Sequence, residues 1–220
     1  DWYNRFQVAS YARTLRFFAA ILSMIFPAVY VAVATWHTSL LPTKLVLSMA
    51  EARQGVPFPA LGEILLMEIS FELLKEAGIR LPGPMGNTIG IVGGLIIGQA
   101  AVDASLVSPI VVIVVAFTAL CSFAIPNEEF ASAFRILKYG CIFMGAWLGL
   151  YGVALSGLWV LIHLSHLNSF GIPYLMPYVA ADVNGYEDKK DSLFRFPLKY
   201  CVRRPIFARR GERIKLRKRD

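Results

Sequence analysis

Two hundred and twenty residues suffice for one soluble domain or for a small membrane bundle. The chain is 56% hydrophobic and 17% charged, with a mean hydropathy of +0.56; soluble domains carry about 25% charged residues, so a water-facing surface is undersupplied, and a disordered chain, a collagen-like repeat and a disulfide-stapled mini-protein are all excluded. The net charge of +7 lies entirely in residues 167–220, where 13 Lys/Arg face 6 Asp/Glu, while residues 1–166 balance 9 against 9. A neutral apolar body with a basic tail predicts a transmembrane domain over 1–166 and a cytoplasmic tail over 167–220; with no recognition helix or stacking platform, no nucleic-acid partner is expected. The chain begins at Asp1 without a signal-peptide pattern, which reads as a piece of a longer protein.

A helix crossing the roughly 30 Å hydrocarbon core needs about 20 mostly apolar residues. Residues 17–36, FFAAILSMIFPAVYVAVATW, meet that requirement without a charge, with Pro27 set to kink them. Arg5, Arg13 and Arg16 precede this span, so the positive-inside rule places the N-terminus in the cytoplasm. Residues 62–78 differ. At about 100° per residue, Glu68, Glu72 and Glu76 share one face, opposite Leu66, Met67, Leu73 and Leu74. Central acids are costly in lipid, so this amphipathic helix is expected in the interface, or in a bundle with its acidic stripe on water.

Two apolar runs follow at 88–102 and 106–125, joined by Asp103-Ala104-Ser105 as a tight hairpin, with Ser108 as N-cap and Pro109 as first helical residue. A last span is predicted over 138–165. The prediction is therefore an all-α polytopic membrane bundle of about four transmembrane helices plus the acidic helix, with loops 37–87 and 126–137 on the outside.

Small residues repeat on two of these spans: Gly90, Gly94, Gly98 and Ala101 on one, Gly145 and Gly149, continued by Gly152 and Ser156, on the other. That spacing lets helix backbones approach closely, within one chain or between subunits. Gln99 and Asp103 stand one turn apart at a span end, as a functional pair or a solvated turn. His163 and His166 are three apart without an acidic or Cys companion, which favours interfacial anchoring over a metal. Cys121, Cys141 and Cys201 are too scattered for a disulfide framework or a metal site. No Ser-His-Asp, Cys-His or H-E-x-x-H arrangement occurs, so neither an enzymatic activity nor a cofactor is expected. The acidic stripe has a sharper reading. Repeated around an oligomer axis, Glu68, Glu72 and Glu76, with Gln99 and Asp103, would form a candidate cation path; the alternative is an interfacial helix whose acids are merely solvated.

EARQGVPFPALGEILLMEISFELLKEAGIRLP at 51–82, GNTIGIVGGLIIGQAAVDASLVSPIVVIVVAFTALCSFAIPN at 86–127, SFGIPYLMP at 169–177 and DSLFRFPLKYCVRRP in the tail resemble the spore germinant receptor A subunit, or GerA, family of endospore-forming bacteria. The resemblance implies a cytoplasmic N-terminal domain ahead of this region and residence in the spore inner membrane. It further implies a homo-oligomer working with a transporter-like B subunit and a lipoprotein C subunit, in a nutrient-gated complex that releases monovalent cations. Some paralogues sharing these motifs instead scaffold receptors or the dipicolinate-release machinery. The basic tail is expected to contact anionic lipid.

Overall fold

The computed structural model describes residues 5–80, 84–169, 172–175, 178 and 193–197, with the backbone alone at 79–80, 84–92, 95 and 172. Six helices follow in chain order: α1 (Phe6–Thr35), α2 (Thr43–Ala52), α3 (Ala60–Arg80), α4 (Pro84–Asp103), α5 (Pro109–Phe123) and α6 (Glu128–His166). Two-residue strands β1 (Asn168–Ser169) and β2 (Ile172–Pro173) close a small antiparallel hairpin. The chain divides into two compact units, residues 19–157 and the pair of segments 1–18 and 158–220.

In the larger unit the core is built where apolar faces of α1, α3, α5 and α6 meet: Met24, Ala28 and Val31 with Ile64, Met67, Val111, Val115, Cys141 and Ile142. Outside this core, apolar side chains are conspicuously exposed, among them Ile113, Leu120 and Trp147. An apolar surface of that extent suits lipid rather than water. Among the described residues, two helical stretches, Phe6–Thr35 and Glu128–His166, contain a run long and apolar enough to cross a membrane; Pro109–Phe123 is apolar throughout but shorter. Four spans are therefore not established, although the architecture is helical as expected.

Contacts give the helix directions. Leu74 and Phe71 of α3 lie against Gly93 and Gly94 of α4, so these two helices are antiparallel, and Gly98 of α4 faces Val112 of α5. The turn between α4 and α5 places Ser105 at φ 54, and Pro109 opens α5. Ser108 occupies the N-cap position as predicted, but its hydroxyl makes no capping bond.

Two expectations fail around α6. Residues 126–137 are not an outside loop: the helix starts at Glu128, with Glu128 and Glu129 in its first turn, where acids suit the positive end of the helix dipole. Ile125 and Ala131 pack with Ala20, which places this turn at the end where the apolar run of α1 begins, the opposite end from the one expected. Nor is 138–165 one continuous span. Gly149 adopts φ 64, ψ −147, and beyond it the chain reverses. A Cβ on Gly145 would lie 3.1 Å from Val153 Cγ2; eight residues apart on a straight helix would be about 12 Å. α6 is thus a helical hairpin that turns at Gly149, with the arm 128–148 before it and the return at 152–153 packed on 144–145. Gly149 is the turn itself, and it is also closely packed: a Cβ there would lie 2.6 Å from the His37 ring and 3.3 Å from Trp36 Cβ.

The other small residues do sit at close approaches. A Cβ on Gly145 would stand 2.8 Å from the Ala28 carbonyl oxygen, so α1 and α6 touch backbone to backbone there. Gly94 and Gly98 are buried, and a Cβ on either would be 3.2 Å from Phe71 or Val112. Gly90 lies outside the residues whose surroundings are described. Gly98→Leu should destabilise the bundle by about 1–3 kcal/mol through overpacking. A thermal midpoint in detergent equal to the unsubstituted protein's would remove this close-packing account.

In the smaller unit, Ser10 Oγ on α1 accepts from the Arg195 N–H at 2.9 Å, and its one proton is shared between the Phe6 carbonyl at 2.7 Å and the Arg195 carbonyl at 3.1 Å. This reciprocal pair ties residues 193–197 of the tail to the first turns of α1. The rest of the tail, including Cys201 and the terminal basic run, lies outside the described residues.

Candidate functional site: a charge ladder between helices

The acidic stripe of α3 runs from the interior at Glu68 through a half-buried Glu72 to the surface at Glu76. Glu68 is 3% exposed, and its Oε2 accepts from Lys138 Nζ at 2.5 Å; Lys138 is itself 6% exposed. One turn on, Glu72 pairs with Arg135. The two bases are three residues apart on α6 and the two acids four apart on α3, so each pair shares a helix face and the helices mesh antiparallel. Glu76 is exposed and also engaged. The expectation of a stripe on water is thereby corrected for Glu68: carboxylates inside an apolar bundle need cations, and here α6 supplies them.

A second buried acid went unnoticed in the sequence. Glu63 is fully buried; its Oε1 accepts from Arg53 Nη2 at 3.0 Å and Nε at 3.2 Å, and its Oε2 accepts the Ser108 N–H at 2.8 Å. One carboxylate therefore joins the segment after α2, the start of α3 and the α4–α5 turn. The buried hydroxyls of Tyr30 and Ser108 lie close to it and to each other.

Lys75, one turn beyond Glu72, lies over the Phe123 ring, 5.2 Å from its centroid, and reaches the Ser122 hydroxyl at 3.5 Å. Gln99 Nε2 donates to Asp103 Oδ1 at 3.0 Å on the exposed side of α4, so these two satisfy each other. The five residues of the predicted cation path thus fall into two sets with different partners. His163 stacks on Trp159 at 5.9 Å, and among the described residues no cluster of His, Cys, Asp and Glu could hold a metal. Cys121 and Cys141 are buried and free.

Arg53, Glu63, Arg135 and Lys138 are the site residues that pattern reading passed over. Their signal was the charge balance of residues 1–166: an apolar chain that keeps as many bases as acids is pairing them.

A family model for the Bacillus/Clostridium GerA spore germination protein matches residues 1–207. The chain belongs to the GerA spore germination family. It is 44% identical over 207 residues to spore germination protein GerLA of Bacillus cereus, covering 94% of this chain and 42% of that protein. It is 46% identical over 202 residues to spore germination protein A1 of Bacillus subtilis (strain 168), covering 90% of this chain and 41% of that one. It is also 42% identical over 223 residues to the uncharacterized membrane protein YfkQ of the same strain, covering 100% of this chain and 42% of that protein. The chain spans about two-fifths of the length of these relatives. No solved structure matches it. Two apolar helices and a relative called a membrane protein point to this GerA chain being a membrane protein as well.

Proposed function

We propose that this chain forms the membrane domain of a germinant-receptor A subunit and acts in an oligomeric, nutrient-gated complex that conducts monovalent cations in the spore inner membrane. Its partners in this reading are further copies of itself, a transporter-like B subunit and a lipoprotein C subunit, with the basic tail on anionic lipid. No enzymatic step is assigned to it.

The observation that carries the reading is the pairing of Glu68 with Lys138 and Glu72 with Arg135 inside an apolar bundle of a GerA-family chain. Ionisable residues inside a membrane bundle are rare and are functional candidates by default, ion pathways among them. Glu68→Gln combined with Lys138→Met tests it, because the double change removes both charges and leaves neither partner stranded. Assembly of the complex should persist while cation release during germination slows severalfold. An unchanged release rate and ion selectivity would take the ladder off the conduction path.

One observation favours a second reading. Glu68 and Glu72 are already neutralised within the chain, which suits a non-conducting paralogue that scaffolds receptors or the dipicolinate-release machinery. Cation flux from vesicles holding the purified complex separates the two: flux supports the conducting subunit, and its absence supports the scaffold.

A further inference from the structure

Within the larger unit, α3, α4 and α5 enclose an open groove of about 1010 Å³, at the upper end of the roughly 300–1,000 Å³ usual for ligand sites. Its walls are apolar, with Phe71, Leu74, Val102, Val112, Leu120 and Phe123 among them. Gly94 and Gly98 of α4 line it where Phe71 and Val112 come up against that helix. Leu120 and Phe123 on its rim are 67% and 64% exposed, so its mouth opens onto the same apolar surface that suits lipid.

The polar groups of the lining are not scattered. Gln99 lies toward the α4–α5 turn, whereas Lys75, Ser122 and Glu128 all sit at the opposite end, where α3 and α5 finish and α6 begins. Lys75 forms no ion pair among the described residues; its ammonium rests over Phe123 and points to the Ser122 hydroxyl. Arg135, Glu72 and, more weakly, Glu128 lie close enough to act electrostatically on Lys75, and of these Glu128 is the exposed carboxylate that lines the groove. The mouth thus offers an ammonium and a hydroxyl as donors beside a carboxylate as acceptor, at the head of a long apolar trough.

We propose that this groove binds a zwitterionic aminophospholipid. One acyl chain lies along the α3–α4–α5 walls, the phosphate meets Lys75 and Ser122, and the lipid ammonium meets Glu128. Both signs of charge at one end are what such a head group complements; an anionic lipid would satisfy Lys75 but set its charge against Glu128, and a packed apolar helix would satisfy neither.

The test is native mass spectrometry of the complete subunit in detergent, titrated with phosphatidylethanolamine or with phosphatidylglycerol. Phosphatidylethanolamine should bind more tightly, and Lys75→Gln and Glu128→Gln should each weaken it about tenfold, the scale of one charge-assisted hydrogen bond. Ala116→Trp, which fills the trough, should abolish binding of both lipids. Lys75 and Glu128 lie at the open rim, so their variants remain informative if Ala116→Trp fails to fold. Equal affinity for the two lipids, unchanged affinity in both rim variants, or a protein segment occupying the groove in the assembled complex would overturn the proposal.

Discussion

Lys138→Met should be among the most damaging single substitutions in this protein, lowering its stability by about 3–5 kcal/mol, because it strands the Glu68 carboxylate inside the bundle. Both side chains are nearly inaccessible, at 7% and 3% exposure, so water cannot take over the role of the lost partner. Glu68 already has one oxygen, Oε1, buried without a hydrogen bond, which leaves no spare partner to compensate. Adding Glu68→Gln to Lys138→Met should restore most of the loss, since the expense lies in the unpaired charge and not in the absence of the pair. Thermal unfolding of the four proteins in one detergent completes the cycle. If the double variant is as unstable as Lys138→Met alone, the loss comes from packing and the electrostatic account fails.

Gly152→Ala should be similarly severe for a steric reason. A Cβ at this position would lie 2.1 Å from the Met144 carbonyl oxygen and 2.7 Å from its carbon, and backbone cannot swing away as a side-chain tip can. Gly149→Ala adds a different penalty. Its φ of 64 with ψ −147 belongs to a region that is nearly glycine's alone, worth about 1–3 kcal/mol of strain, and its Cβ would meet the His37 ring at 2.6 Å. Each variant should open the α6 hairpin. A spin-label pair at the exposed positions 143 and 155 would register this as a lengthened distance, and an unaltered distance in both variants would refute the tight-turn description.

These two results show where sequence reading reached and where it stopped. The 100° spacing of Glu68, Glu72 and Glu76 correctly put them on one helix, because helical period depends only on local geometry. Which way that face turns depends on the partner. Arg135 falls in the stretch 126–137 that the polar run Asn127-Glu128-Glu129 makes read as a loop, and Lys138 at the first residue of the expected span, although two acids in a first turn are also a helix start. At Gly149 the ambiguity is intrinsic. A glycine within an apolar run serves equally as a close-packing surface or as a reversal, and only the positive φ and the return of Val153 onto Gly145 distinguish them. Glu63 escaped notice for a related reason: its guanidinium partner at Arg53 lies ten residues away across a turn, a separation no helical pattern connects.

The ladder between α3 and α6 also constrains how these helices can move. Apolar contacts in lipid are forgiving of small slides, since one methyl group substitutes for another. Charged rungs are not. Advancing α3 by one turn along α6 would bring Glu72 to Lys138 but push Glu68 among Cys141 and Ile142, which are buried and cannot neutralise it. Retreating by one turn would offer Glu68 to Arg135 and leave the Lys138 ammonium opposite the fully buried Ile64 region. Either slip buries an uncompensated charge, so the axial register of the two helices is locked in both directions. Any axial displacement of α3 would therefore have to carry the 128–148 arm with it.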